Sequence, residues 1–220
     1  MNTSIPNERL LRVAAFECFS NAHSLRDEAR LLAENGYAAR AAALAILGLE
    51  EFAKAIAYSL AALLPERQES LIKRLDWHEV KHLIASSAEA AEIETEDYRI
   101  EFLQETGFRV TPEERLEILF AQLLRYDVAS VAADLKGAKE YFKRLRKELT
   151  HALPGPDLKN AALYVDISPE GEVRTPKRVE DLAESQILGL EWFLGVYAAL
   201  SVVLENDAVW ADFIRRVHRA

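Results

Sequence analysis

The chain has 220 residues, half of them hydrophobic, with 36 acidic against 27 basic side chains, a formal charge of −9 and one cysteine, Cys18. That is enough apolar material for a substantial core; the acidic balance argues against coating nucleic acid through a global field, though it leaves a local basic patch open, and one thiol excludes an internal disulfide framework. The start, Met1 to Arg9, has no basic segment leading into an apolar run, and the late uncharged run Trp192–Leu204 falls short of the ~20 residues that cross a bilayer, so a soluble, cytoplasmic protein without a membrane role is expected.

Glycine and proline are sparse, which predicts long helices. The first runs from Pro6 to Glu34, with Leu10, Val13, Ala14, Phe16, Leu25, Ala29 and Leu32 as its apolar face, and Asn35-Gly36 stops it. The second, Tyr37 to Leu64, carries only Arg40, Glu50, Glu51 and Lys54 as charges and ends at Pro65. A helix apolar on all sides belongs in the middle of a bundle, where carboxylates need partners. Glu50 and Lys54, one turn apart in acid-first order, read as a paired polar core, and Glu51 needs a partner of its own.

Residues 66–75 form a connector. A third helix starts near Asp76, with Glu79 three residues on, and runs to about Phe108; its polar stretch Glu89–Glu105 reads as exposed or frayed. Thr111-Pro112-Glu113-Glu114 is a strong start for a fourth helix reaching Leu153, before Pro154-Gly155-Pro156. Leu163 to Arg174 reads as a small β-hairpin around Ser168-Pro169-Glu170-Gly171. A last long helix, Val179 to Glu205, offers Leu182, Ile187, Leu190, Trp192, Phe193, Val196, Tyr197 and Leu200 to the core, and a short one closes the chain through Trp210 and Phe213. The expectation is one all-α domain over residues 1–220, with the hairpin inserted before the last long helix.

Two patterns bear on chemistry. His78-Glu79-Val80-Lys81-His82 matches the zinc-binding H-E-x-x-H spacing, but Lys81 sits where such helices are uncharged. Glu94, Glu96 or Glu101 would be an arbitrary third ligand, so the segment reads as a partly exposed polar helix start. Glu79 with His82 is also one Glu-x-x-His pair at most, too few for a two-metal bundle. No metal and no cofactor are expected. Lys136, Lys139, Lys143, Arg144, Arg146 and Lys147 form the clearest basic run. It either offsets the dipole at a helix end or makes an RNA-binding face, with Arg146 and His151 supplying a cation and a base for metal-free cleavage.

Asn21-Ala22, Ala45 through Glu50-Glu51-Phe52-Ala53-Lys54-Ala55, His78 with Lys81, and Leu163-Tyr164-Val165-Asp166 followed by Pro176 together resemble the AbiV family of abortive-infection proteins, in the HEPN superfamily of helical bundles. The resemblance implies an antiphage effector that halts growth by acting on RNA or the translation machinery. HEPN relatives are often dimeric, metal-independent endoribonucleases with Arg, a polar residue, three variable residues and His. Arg146 to His151 has the end residues, with Lys147 in the polar place; Lys159 to Tyr164 keeps the spacing, with Lys for Arg and Tyr for His. Either pair would join Glu51, His78 and Lys81 in the site, with Asn21, Glu50 and Lys54 as structural polar core. The implied partners are RNA or the translation machinery, a phage-encoded activator or an antitoxin, and a second copy of the chain. The alternatives are a degenerate bundle that binds and blocks a target, or a structural dimer joined through Trp192, Phe193, Tyr197 and Leu200.

Overall fold

The computed structural model describes residues 7–75, 78–106, 109–126, 166–167, 173–174 and 180–219, and its long elements are all helices. Helix α1 (Glu8–Glu34) begins where the Asn7 side chain accepts from the Leu10 N–H at 2.8 Å. It ends at Asn35, and Gly36 follows with φ +80°, a left-handed conformation that glycine adopts without a Cβ clash. The chain thus reverses into α2 (Ala38–Leu63). A 3-10 turn at Pro65–Arg67 and the short α3 (Gln68–Ile72) occupy the expected connector.

Helix α4 (His78–Thr106) follows, then α5 (Pro112–Arg125). The start of α5 is a capping box: the Glu114 N–H donates to the Thr111 hydroxyl and the Thr111 N–H donates to the Glu114 carboxylate, with Pro112 opening the helix. The continuation expected to Leu153 lies outside the described residues. Asp166–Ile167 (β1) pairs antiparallel with Val173–Arg174 (β2), Asp166 opposite Arg174 and Ile167 opposite Val173. A two-residue ladder adds no layer, and the rest of the hairpin expected over 163–174 lies outside the described residues. The architecture is all-α.

The predicted single helix 179–205 is instead two, α6 (Glu180–Val196) and α7 (Leu200–Glu205), before α8 (Asp207–Val217). At the break the Ala198 and Leu200 N–H groups reach back three residues, to the Gly195 and Tyr197 carbonyls. Gly195 is a poor helix former, and the buried Tyr197 hydroxyl is tied to the Ala88 carbonyl of α4 at 3.1 Å, so tertiary anchoring overrides continuation.

Helix α2 is buried on almost every side, packed against α1, α4 and α6. Alanines and Gly48 make this possible: a Cβ built on Gly48 would meet Leu190 Cδ2 at 2.4 Å. Phe52 from α2 stacks with Phe193 and Tyr197, and Phe120 of α5 meets Phe213 of α8, joining these helices in one apolar cluster. Phe193, Tyr197 and Leu200 are therefore core of the same chain, which overturns their assignment to a dimer interface; Trp192 is partly buried beside them.

The buried face of α1 is Leu11, Ala15, Phe19, Ala22 and Ala29, while Leu10 and Val13, expected inside, are half-exposed. The displacement has a cause: Arg12 is buried, donating to the Leu204 carbonyl and Asp207 at 2.7 Å and stacking over Trp210, which turns the helix about its axis. Helix α4 also departs from expectation. From Val80 to Glu92 it is buried all round, and Thr95 is buried too; beyond that it surfaces. Ser86, Ser87 and Thr95 satisfy their hydroxyls on carbonyls one turn back, and Glu92 pairs with Arg115 from α5, so these groups find partners inside the bundle. Among the described residues, no helix is long and apolar enough to cross a membrane.

Candidate functional site

Two acids adjacent on α2 point about 100° apart, because each residue advances the helix by that angle. Glu50 faces α4. Its Oε1 lies 2.7 Å from His78 Nδ1 and its Oε2 accepts from Lys81 Nζ, also at 2.7 Å. His78 and Lys81 are three residues apart on α4, close enough for one carboxylate to span both. Glu50 and Lys81 are almost wholly buried, whereas the His78 side chain is 47% exposed. The cluster therefore runs from the core, where the ion pair is compensated, to an imidazole at the surface.

Glu51 turns the other way, accepting from Lys54 Nζ at 2.6 Å and from the Cys18 thiol of α1. Burial pushes that thiol up to about 12, the negative charge of Glu51 adds to the rise, and Lys54 opposes it. Burial works against the Lys54 ammonium as well, but its hydrogen bond and attraction to Glu51 prevail and its pKa is raised. This second cluster thus holds a protonated thiol and a protonated amine.

The expected pairing was therefore exchanged between neighbours. Lys54 belongs to Glu51, not Glu50, because the buried Lys81 of α4 gives Glu50 a partner that no local spacing reveals. Glu51, expected beside His78 and Lys81, contacts the α1 side instead. Asn21 is exposed on α1 and takes no part in a polar core. The start of α4, expected to be a partly exposed polar segment, has Lys81 and His82 buried, and for Lys81 it is α2 that supplies the counter-charge. Among the described residues, no group of three or more His, Cys, Asp or Glu side chains is arranged to hold a metal ion. Arg146, His151, Lys159 and Tyr164, and the basic residues Lys139, Lys143, Arg144 and Lys147, lie outside the described residues.

A second polar seam joins α4 to α5. Arg115 pairs with Glu92 and lies 3.8 Å from Glu96, and burial pulls its guanidinium below the usual value. Glu94 accepts from the Tyr126 hydroxyl nearby. Glu50 is the residue whose partners sequence reasoning missed. The signal was there: a carboxylate pair in an apolar helix must face two neighbours, and His78-x-x-Lys81 presents two donors on one face.

A family model described as AbiV, of the HEPN group, matches residues 10–188, a span that includes both polar clusters. No curated protein and no solved structure matches the chain.

Proposed function

This chain belongs to the AbiV family of HEPN proteins, and from that premise we propose that it is an antiphage abortive-infection effector that arrests growth by acting on RNA, as a metal-independent endoribonuclease of the cytoplasm. The observation that supports this reading is the Glu50–His78–Lys81 cluster, in which a buried, charge-compensated carboxylate holds an imidazole at the surface. An imidazole titrates near neutral pH and suits proton transfer without a metal. The basic run Lys139, Lys143, Arg144 and Lys147 would bind the phosphate backbone, and Arg146 with His151, or Lys159 with Tyr164, would complete the site. A homodimer and a phage-encoded activator or antitoxin belong to the same proposal.

A second reading, a bundle that binds and blocks its target or the translation machinery without cleaving, draws on the state of Lys81. That cation is buried and neutralised by Glu50, so it is not presented to a phosphate. One experiment separates the two. Inducing the wild-type chain should stop growth and fragment cellular RNA in lysates containing EDTA. Arrest with intact RNA rejects cleavage in favour of blocking. Comparing His151→Ala with Tyr164→Phe then decides which of the two segments serves the site.

A further inference from the structure

Resting on the endoribonuclease reading, we propose that His78, oriented by Glu50 and with Lys81 fixing the charge of that carboxylate, is the base that takes the proton of the attacking hydroxyl, through Nε2. The argument is a count of donors and acceptors. Lys81 lies in the core with its ammonium on Glu50 Oε2, so a protonated Glu50 would leave a buried cation without a counter-charge. Glu50 is therefore ionised, and an ionised carboxylate only accepts. Its 2.7 Å contact with Nδ1 then requires the hydrogen on Nδ1. A neutral imidazole protonated at Nδ1 carries its lone pair on Nε2.

The placement agrees. Glu50 and Lys81 are locked in packed helices, while His78 is the first residue of α4 and half-exposed, as a group that must meet a large substrate should be. In the other acid–base cluster Cys18 and Lys54 both hold their protons, and it has no imidazole. Toward a ribose next to a phosphodiester, the 2′-hydroxyl proton passes to Nε2 and the freed oxygen bonds to phosphorus. The P–O5′ bond breaks, and the leaving oxygen takes a proton from water. The hydroxide so formed recovers the proton from the imidazolium. Glu50 and Lys81 are positioning residues in this scheme, touching His78 directly or through the carboxylate.

The test combines a tautomer measurement with cleavage. In 15N-labelled wild-type protein, at a pH where His78 is neutral, long-range 1H–15N correlation should show hydrogen on Nδ1 and a bare Nε2. His78→Ala should fold and lose roughly 100-fold or more in RNA cleavage, the span expected of one proton-transfer group. Replacing Glu50 and Lys81 together by Leu and Met should abolish the Nδ1–H preference and reduce cleavage similarly. An Nε2–H tautomer in the wild type overturns the assignment. So does cleavage that survives His78→Ala but is lost in His151→Ala, which leaves the endoribonuclease reading standing with a different base. Wild-type protein that never cuts RNA overturns that reading, and the proton-transfer role with it.

Discussion

The Glu50–Lys81 pair permits a sharp separation of stability from function. In Glu50→Leu, Lys81 stays in a site about 5% exposed and loses its counter-ion, Glu50 Oε2 at 2.7 Å. Stranding one member of a buried pair typically destabilises by about 3–5 kcal/mol, because the remaining ion has neither water nor partner. Replacing both members by apolar side chains of similar volume removes the desolvation penalty along with the attraction, and is often close to neutral. What remains in Glu50→Leu/Lys81→Met is the lost hydrogen bond to His78, about 1 kcal/mol for a half-exposed donor. The double variant should therefore be more stable than the single one by roughly 2–4 kcal/mol, a coupling well above experimental error. Urea unfolding followed by circular dichroism, repeated at several protein concentrations, measures this provided the slope m is unchanged. If the double variant unfolds as readily as the single one, the buried-charge account of this cluster is wrong. If it folds and still arrests growth, the cluster is structural only.

Other outcomes follow from local geometry. Gly48→Ala gains about 1 kcal/mol of helix propensity but drives a Cβ into Leu190 Cδ2, so it should destabilise by about 1 kcal/mol in the wild type and stabilise in a Leu190→Ala background; the same sign in both backgrounds would refute the clash. Cys18, raised to about 12, should react with a disulfide reagent far more slowly at pH 8 than a free thiol, and Glu51→Gln should speed it by removing the anion that raises it; a rate profile rising near 8.5 would contradict this. Arg12→Ala loses the Leu204 carbonyl contact and the stacking on Trp210 and should destabilise by about 2 kcal/mol. Asp207→Asn, at an 88% exposed side chain, should lower stability by under about 1 kcal/mol in the same urea assay.

What the sequence disclosed, and what it withheld, follows the range of the forces involved. The Asn35-Gly36 reversal and the Thr111 capping box were legible because each is decided within a few residues. The central position of α2 was legible from its lack of charge. The partner of Glu50 was not: Lys54 is nearer in sequence, but Lys81 arrives from a separate helix, and only packing selects between them. The polar stretch of α4 misled for the same reason, since Glu92 is neutralised by Arg115 from α5 and three hydroxyls turn inward on their own backbone. The break after Val196 depended on a tyrosine anchored 109 residues away.

The Arg12 clamp ties the first described helix to the last across 195 residues, and Glu8 adds to it by accepting from the Trp210 indole N–H. On the ribosome, α1 can pack against α2 as soon as both have left the exit tunnel, whereas the Arg12 side chain must wait for Leu204 and Asp207. The fold closes only when α8 emerges. The α1–α2 pairing is thus an early, local contact, and the Arg12 clamp a long-range one made last.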